Sequence, residues 1–219
     1  MPEEKKIIEH LPQCFETEEE KDAWYALRPE GVQFDQEAAD KALVKRIARD
    51  ARELQILYRG CPQATSYPLM MHLGVGSKEV FKGVSVLAGG LYESRHICGA
   101  LLGGMVVISL EFGRADFLEP GGPKEAGLSK FTYAERFTRE LYRRFKEHFK
   151  VVICSELLEQ HFGKPLTPVD RTNPMEVERA KSGEVYSILS TYCCQMVEKA
   201  AEITADIILR ERRAKATTA

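Results

Sequence analysis

Four cysteine positions are the residues of this chain best suited to chemistry. Cys61 stands in RGCPQATSYPLM, Cys98 in HICGALLGGMVV, Cys154 in VICSELL, and the fourth position is the adjacent pair Cys193 and Cys194. A thiolate is a soft ligand for iron–sulfur clusters and zinc and, when no metal is bound, a nucleophile that can cycle to a disulfide. Cys61, Cys98 and Cys154 each fall at the predicted start of an apolar helix. Free N–H groups and the positive dipole end favour an anion there, so this placement predicts lowered thiol pKa values. Single thiols on separate helices describe a site assembled by folding, not one carried on a loop. Gly99 and Ala100 leave room beside Cys98 for inorganic sulfide and for amide N–H groups, and Gly103 and Gly104 let a cofactor or another backbone come close. Plain burial is the competing reading for each cysteine taken alone, because free cysteine packs as a small hydrophobe.

Other chemistries find less support. No CxxC is present, whereas structural zinc sites usually draw ligands from such pairs, and no CxxCH supports covalent haem attachment. The Ser and His residues form no arrangement readable as a nucleophilic triad. Gly74-Val75-Gly76 lacks the strand and the Gly-Lys that a phosphate loop requires. His96, Glu156 and Glu202 lie near the thiols in sequence but read as solvated side chains, and Cys14 stands apart from the pattern.

Placing the four thiols requires helices. Ala39, Leu43, Ile47, Leu54 and Leu57 recur at helical steps, so a helix is predicted from Gln36 to Tyr58. Gly60 ends it, and Cys61-Pro62 opens a second helix that Pro68 is expected to kink or shorten. Ser77 caps a third, holding Val80, Phe81, Val84 and Leu87, which Ala88-Gly89-Gly90 ends. Cys98 to Phe112 is apolar almost all round and reads as the central helix. The segment FGRADFLEPGGPKEAG is predicted as a surface loop. Phe131, Ala134, Phe137, Leu141, Phe145 and Phe149 then stripe a core-packing helix. A short helix opens at Ile153-Cys154 and stops at Gly163, and residues 164–173 read as an irregular crossover. The last helix is predicted from about Glu184 to Arg212. No long alternating β-branched run appears, so the fold class is all-α: a compact helical bundle around a buried, Gly-rich apolar helix. The expected organisation is a lead-in over residues 1–35, a four-cysteine domain over 36–213 and a frayed basic tail over 214–219.

Composition sets further bounds. The 31 Lys+Arg against 33 Asp+Glu give a net charge of −2, which offers no basis for nucleic-acid binding. The apolar run from Ile97 to Leu110 is shorter than the roughly 18 residues of a membrane span. MPEEKKIIEH lacks a basic start, an apolar stretch and a cleavage site, so the chain reads as cytoplasmic. Six cysteines in that compartment point to metal binding or redox work before a disulfide framework.

The set Cys61-Pro62-Gln63-Ala64, Cys98-Gly99-Ala100-Leu101-Leu102-Gly103, Cys154-Ser155-Glu156-Leu157-Leu158 and the run from Cys193 to Ile203 resembles the C-GCAxxG-C-C family, described as redox-active. The resemblance covers about Leu43 to Leu209. It implies an iron–sulfur or related redox site with Cys61, Cys98, Cys154 and Cys193 as ligands, and kinship with the module of split-Soret cytochromes. The family's alanine after the first cysteine is Pro62 here, its glycine-rich run shrinks to Ala88-Gly89-Gly90, and residues 1–35 have no counterpart. The family's last cysteine precedes a valine by four residues, which at Val197 selects Cys193.

Three readings stay open at this point. One is an electron-transfer protein that holds an iron–sulfur cluster through the four cysteines and serves a redox partner protein. Another is a thiol–disulfide oxidoreductase that cycles two of them. The third is a structural zinc-binding or packing role. Whether the chain forms a homo-oligomer is left open. Neighbours on a helix point about 100° apart. The series Leu189, Cys193, Met196, Ala200, Ile203 and Ile207 therefore predicts that Cys193, and not Cys194, faces the core.

Overall fold

A computed structural model describes residues 35–115, 125–163, 172–181 and 192–218. Among these residues the regular structure is eight α-helices and one 3₁₀ turn: α1 (Gln36–Tyr58), α2 (Cys61–Leu73), α3 (Lys78–Gly83), the 3₁₀ turn Val84–Leu87, α4 (Gly99–Phe112), α5 (Glu125–Phe149), α6 (Cys154–Phe162), α7 (Pro174–Lys181) and α8 (Cys193–Thr218). The fold is all-α.

α8 is the hub. It packs on α1, α2, α4 and α5, most broadly on α1. Its buried residues include Met196, Val197, Ala200, Ala201, Ile203, Ala205, Ile207 and Ile208. Small residues on that face let the helices close in. α4 supplies Ala100, Leu101, Gly103, Gly104, Val107 and Ile108, and α5 supplies Phe137, Leu141 and Phe145, all buried. From Ala134 to Phe145 the stripe is thus core packing, with Phe137 against Phe112 at 4.3 Å between ring centroids, while the side chain of Phe131 lies outside the described residues. One stripe of α4 departs from the all-round burial its composition suggests. Leu102, Met105, Val106 and Leu110 border a surface groove with Val80 and Leu87, because α3 and the 3₁₀ turn are too short to cover that face.

Caps and breaks follow local chemistry. Asp35 caps α1 by accepting from the Ala38 amide at 3.0 Å, and Ser77 caps α3 by accepting from Val80. α2 runs through Pro68 to Leu73 and is not shortened. Pro68 forfeits one intrahelical bond, and its buried ring packs in the interior. Ser77 starts one α turn, which tightens into the 3₁₀ turn before Ala88 instead of continuing as one helix. α5 already begins at Glu125, so the last residues of the predicted surface loop are helical. α7 is not among the helices read from the sequence. Asn173 caps it by accepting from Met175 at 3.0 Å, with Pro174 at its first position. α8 begins at Cys193 after a turn at Tyr192, and it continues to Thr218 through the segment expected to fray. Residues 1–34, the stretch 116–124, most of the predicted crossover and residues 182–191 lie outside the described residues.

Removing the α1 cap by Asp35→Ala is expected to lower stability by about 1 kcal/mol. Urea denaturation should show this as a shifted midpoint with an unchanged slope.

Candidate functional site

Backbone geometry brings the helix starts together. Ile97 and Ile153 form an isolated antiparallel bridge, flanked by hydrogen bonds from the Cys98 amide to the Val152 carbonyl (2.9 Å) and from the Cys154 amide to the His96 carbonyl. Cys98 is therefore the N-cap of α4, and Cys154, the first residue of α6, lies alongside it. Cys61 opens α2 behind Gly60, whose left-handed φ of 79° reverses the chain after α1. Cys193 opens α8. Each of the four thiols thus stands at a helix start, one more than expected.

These four cysteines line one cavity of about 70 Å³, together with Gln55, Arg59, Ala88, Gly89, Glu93, Arg95, Gly99, Ala100, Leu158 and Met196. The closeness is tight at two points. A Cβ added to Gly99 would stand 2.6 Å from the Cys61 sulfur, and one added to Gly90 would stand 2.8 Å from Cβ of Cys154. Gly103 is placed differently. It faces Pro62 one turn along α4, does not border the cavity, and permits the α2–α4 contact instead. His96 and Glu156 are exposed, and Glu202 pairs with Lys199 on the surface of α8. Cys14 lies outside the described residues.

The register of α8 separates Cys193 from Cys194 on different grounds from those the sequence suggested. Both series are buried, since Cys194, Val197, Ala201 and Thr204 are as enclosed as the run through Met196. Cys194 is buried while Cys193 is only half-buried, so the expectation that Cys193 and not Cys194 faces the core does not hold. α8 is wrapped on two sides. The distinction is in what each thiol meets: Cys193 borders the cavity, whereas Cys194, 1% exposed, faces Arg52 and Glu198 and does not line it.

Burial overrides the helix dipole. Desolvation pushes the Cys61 thiol up to about 12, with the Gly89 amide pulling the other way, and it also pushes Cys98 and Cys193 well up. Cys154 is raised less, because the Arg95 guanidinium beside it opposes the burial. The expected lowering therefore does not hold for the free thiols. A thiolate in a dry cavity lacks solvation that the ends of three or four short dipoles do not replace.

Sequence reading missed Glu93 and Arg95, which project from an unusual turn. Gly89, Gly90, Leu91, Tyr92, Glu93 and Arg95 all have φ between 37° and 74°. The turn is closed by bonds from Arg95 to the Gly89 carbonyl and from His96 to the Gly90 carbonyl, both 3.0 Å. The glycine pair before Cys98 was its one visible signal, because non-glycine residues seldom hold this conformation in succession.

Four thiols from separate helix starts therefore border one cavity of an all-α protein. The model of the family described as "Putative redox-active protein (C_GCAxxG_C_C)" matches residues 60–207, and the chain belongs to that family. No curated protein and no solved structure shows a significant match. The donor set suits an iron–sulfur cluster, which takes thiolates and tolerates neighbouring N–H donors. Among the described residues no three His, Cys, Asp or Glu side chains are gathered as one ion requires. Among those residues no helix is long and apolar enough to cross a membrane.

Proposed function

We propose that Cys61, Cys98, Cys154 and Cys193 hold an iron–sulfur cluster in this cavity, bordered by Gly99 and Ala100, and that the protein exchanges single electrons with a partner protein. The observation that carries this reading is the meeting of four separate helix starts, each bearing a thiol, at one small cavity. The cluster, when bound, supplies one-electron chemistry. The chain supplies four ligands, a dry wall from Leu158 and Met196, and fixed polar groups from the Gly89–Arg95 turn.

Physical chemistry favours this over the thiol–disulfide reading. Attack on a disulfide needs a thiolate, and desolvation disfavours that form in all four thiols, although Cys61 and Cys193 are only half-buried. Zinc draws on the same thiolates but brings no sulfide and supplies no one-electron chemistry, so metal and sulfide content separate the two. Full-length protein purified without oxygen is expected to be brown, with iron and acid-labile sulfide in comparable amounts, and Cys98→Ser is expected to lose most of both. Colourless protein with stoichiometric zinc, or a metal-free protein with a reversible disulfide, would overturn the reading.

A further inference from the structure

Arg95 is 5% exposed and lines the cavity, and its Nε and Nη2 atoms have no hydrogen-bond partner. These two atoms form one edge of the guanidinium, the edge that makes paired parallel bonds to a two-point acceptor. Arg212 shows that use in the same molecule, bonding both oxygens of Glu111 at 2.9 and 2.7 Å. In Arg95 both atoms of that edge are buried without a partner, while Nη1 pairs with Glu93 at 3.2 Å and the guanidinium stands in hydrogen-bonding reach of the Cys154 thiol.

Neither the burial nor the backbone comes free. An unsatisfied buried donor costs about 1–3 kcal/mol, and more when charged. Each non-glycine residue held left-handed adds roughly 1–2 kcal/mol. Such strain persists only where the surroundings enforce it, and it gathers where the position of a side chain matters. Here the enforcement is visible. The Arg95 carbonyl accepts from the Ser155 amide at 3.0 Å, which ties the turn to the helix start that carries Cys154. Glu93, from the same turn, fixes the far side of the guanidinium.

We infer that Arg95 is a positioning residue whose Nε–Nη2 edge donates to sulfur on the Cys154 side of the bound cluster and thereby raises the cluster's reduction potential. The inference rests on the cluster reading above. The reduced cluster carries one more negative charge than the oxidised one, so a fixed cationic donor favours the reduced form.

The test uses the full chain, reconstituted with iron and sulfide without oxygen, and reads the potential by redox titration. Arg95→Gln is expected to shift the reduced-to-oxidised ratio at least tenfold towards the oxidised form, about 59 mV for one electron. Arg95→Lys, which keeps charge without the fork, is expected to fall between Gln and wild type. Protein labelled with nitrogen-15 only in its arginine guanidinium groups gives a second readout that needs no change at Arg95. Pulsed EPR of its reduced cluster is expected to show a nitrogen-15 coupling that survives Arg59→Lys, since Arg59 is the other arginine on the cavity wall. An unchanged potential in Arg95→Gln at equal iron content, or no such coupling in the labelled protein, overturns this inference alone. A wild-type chain that takes up no iron and sulfide overturns the cluster reading and this inference with it.

Discussion

Cys193→Ser is expected to remove nearly all bound iron and sulfide while leaving the fold intact, and Cys194→Ser is expected to do the reverse. The two residues are neighbours, so composition, distance along the chain and local helix propensity are shared. Only direction differs. Cys193 borders the cavity with the other three thiols, and a hydroxyl there is a hard, weakly acidic substitute for a soft ligand. Cys194 is turned towards Arg52 and Glu198, themselves joined at 2.8 Å, and is 1% exposed. A serine there puts a more polar hydroxyl into a buried position that the thiol fills as a small hydrophobe, at a cost of about 1–3 kcal/mol. The expected pattern is thus loss of content with little loss of stability for Cys193→Ser, and loss of stability with content retained for Cys194→Ser. Iron and sulfide analysis beside thermal melts reads both quantities on the same samples. If Cys194→Ser emptied the protein and Cys193→Ser did not, the fourth ligand would be misassigned.

Helical register placed Cys193 on the core side, whereas the structure buries Cys194 more deeply and sets Cys193 on the cavity wall. Helical spacing correctly put Met196, Ala200, Ile203 and Ile207 on a buried face. It implied a less buried face through Cys194 because Thr204 reads as polar. Thr204 is fully buried and returns its hydroxyl to the Ala200 carbonyl at 2.7 Å, which satisfies it without water. Periodicity records which residues are apolar, and α8, packed on both sides, has no solvent face there to contrast. The helices α1, α2, α4 and α6 were legible because each is bounded by a glycine, a proline or a cap whose effect is local. The repeated Ile-Cys before α4 and α6 also held the bridge that joins them, though two residues are too few to read as strand. Arg95 was not legible at all. Its position depends on successive left-handed residues, and propensity assigns that conformation to glycine, not to Leu91, Tyr92 or Glu93.

Gly103→Ala and Gly99→Ala are expected to fail in different ways, although both add one methyl group to the same face of α4. In an unhindered helix interior alanine is favoured over glycine by about 1 kcal/mol, so any loss must come from contact. At Gly103 the new Cβ would meet the Pro62 carbonyl oxygen at 2.5 Å, Pro62 Cα at 3.0 Å and Thr65 Cβ at 3.1 Å. These are mostly backbone atoms, and Thr65 is held by its hydroxyl bond to the Cys61 carbonyl at 2.8 Å. Relief requires α2 to move away from α4, so a net loss of about 3 kcal/mol is expected, read as a lower denaturation midpoint. At Gly99 the obstacles are the Cys61 sulfur at 2.6 Å and the Leu87 carbonyl at 2.8 Å. The sulfur can rotate, and the Leu87 carbonyl is held by one long bond from the Leu91 amide at 3.3 Å, so the stability loss is expected to be smaller. The rotation nevertheless takes the Cys61 sulfur out of its place on the cavity wall. Gly99→Ala is therefore expected to fold and to bind less than half the wild-type iron, whereas Gly103→Ala, at a temperature where it is folded, is expected to retain most of it. Equal iron content in Gly99→Ala and wild type would show that the Cys61 sulfur is not held to the position that Gly99 leaves open.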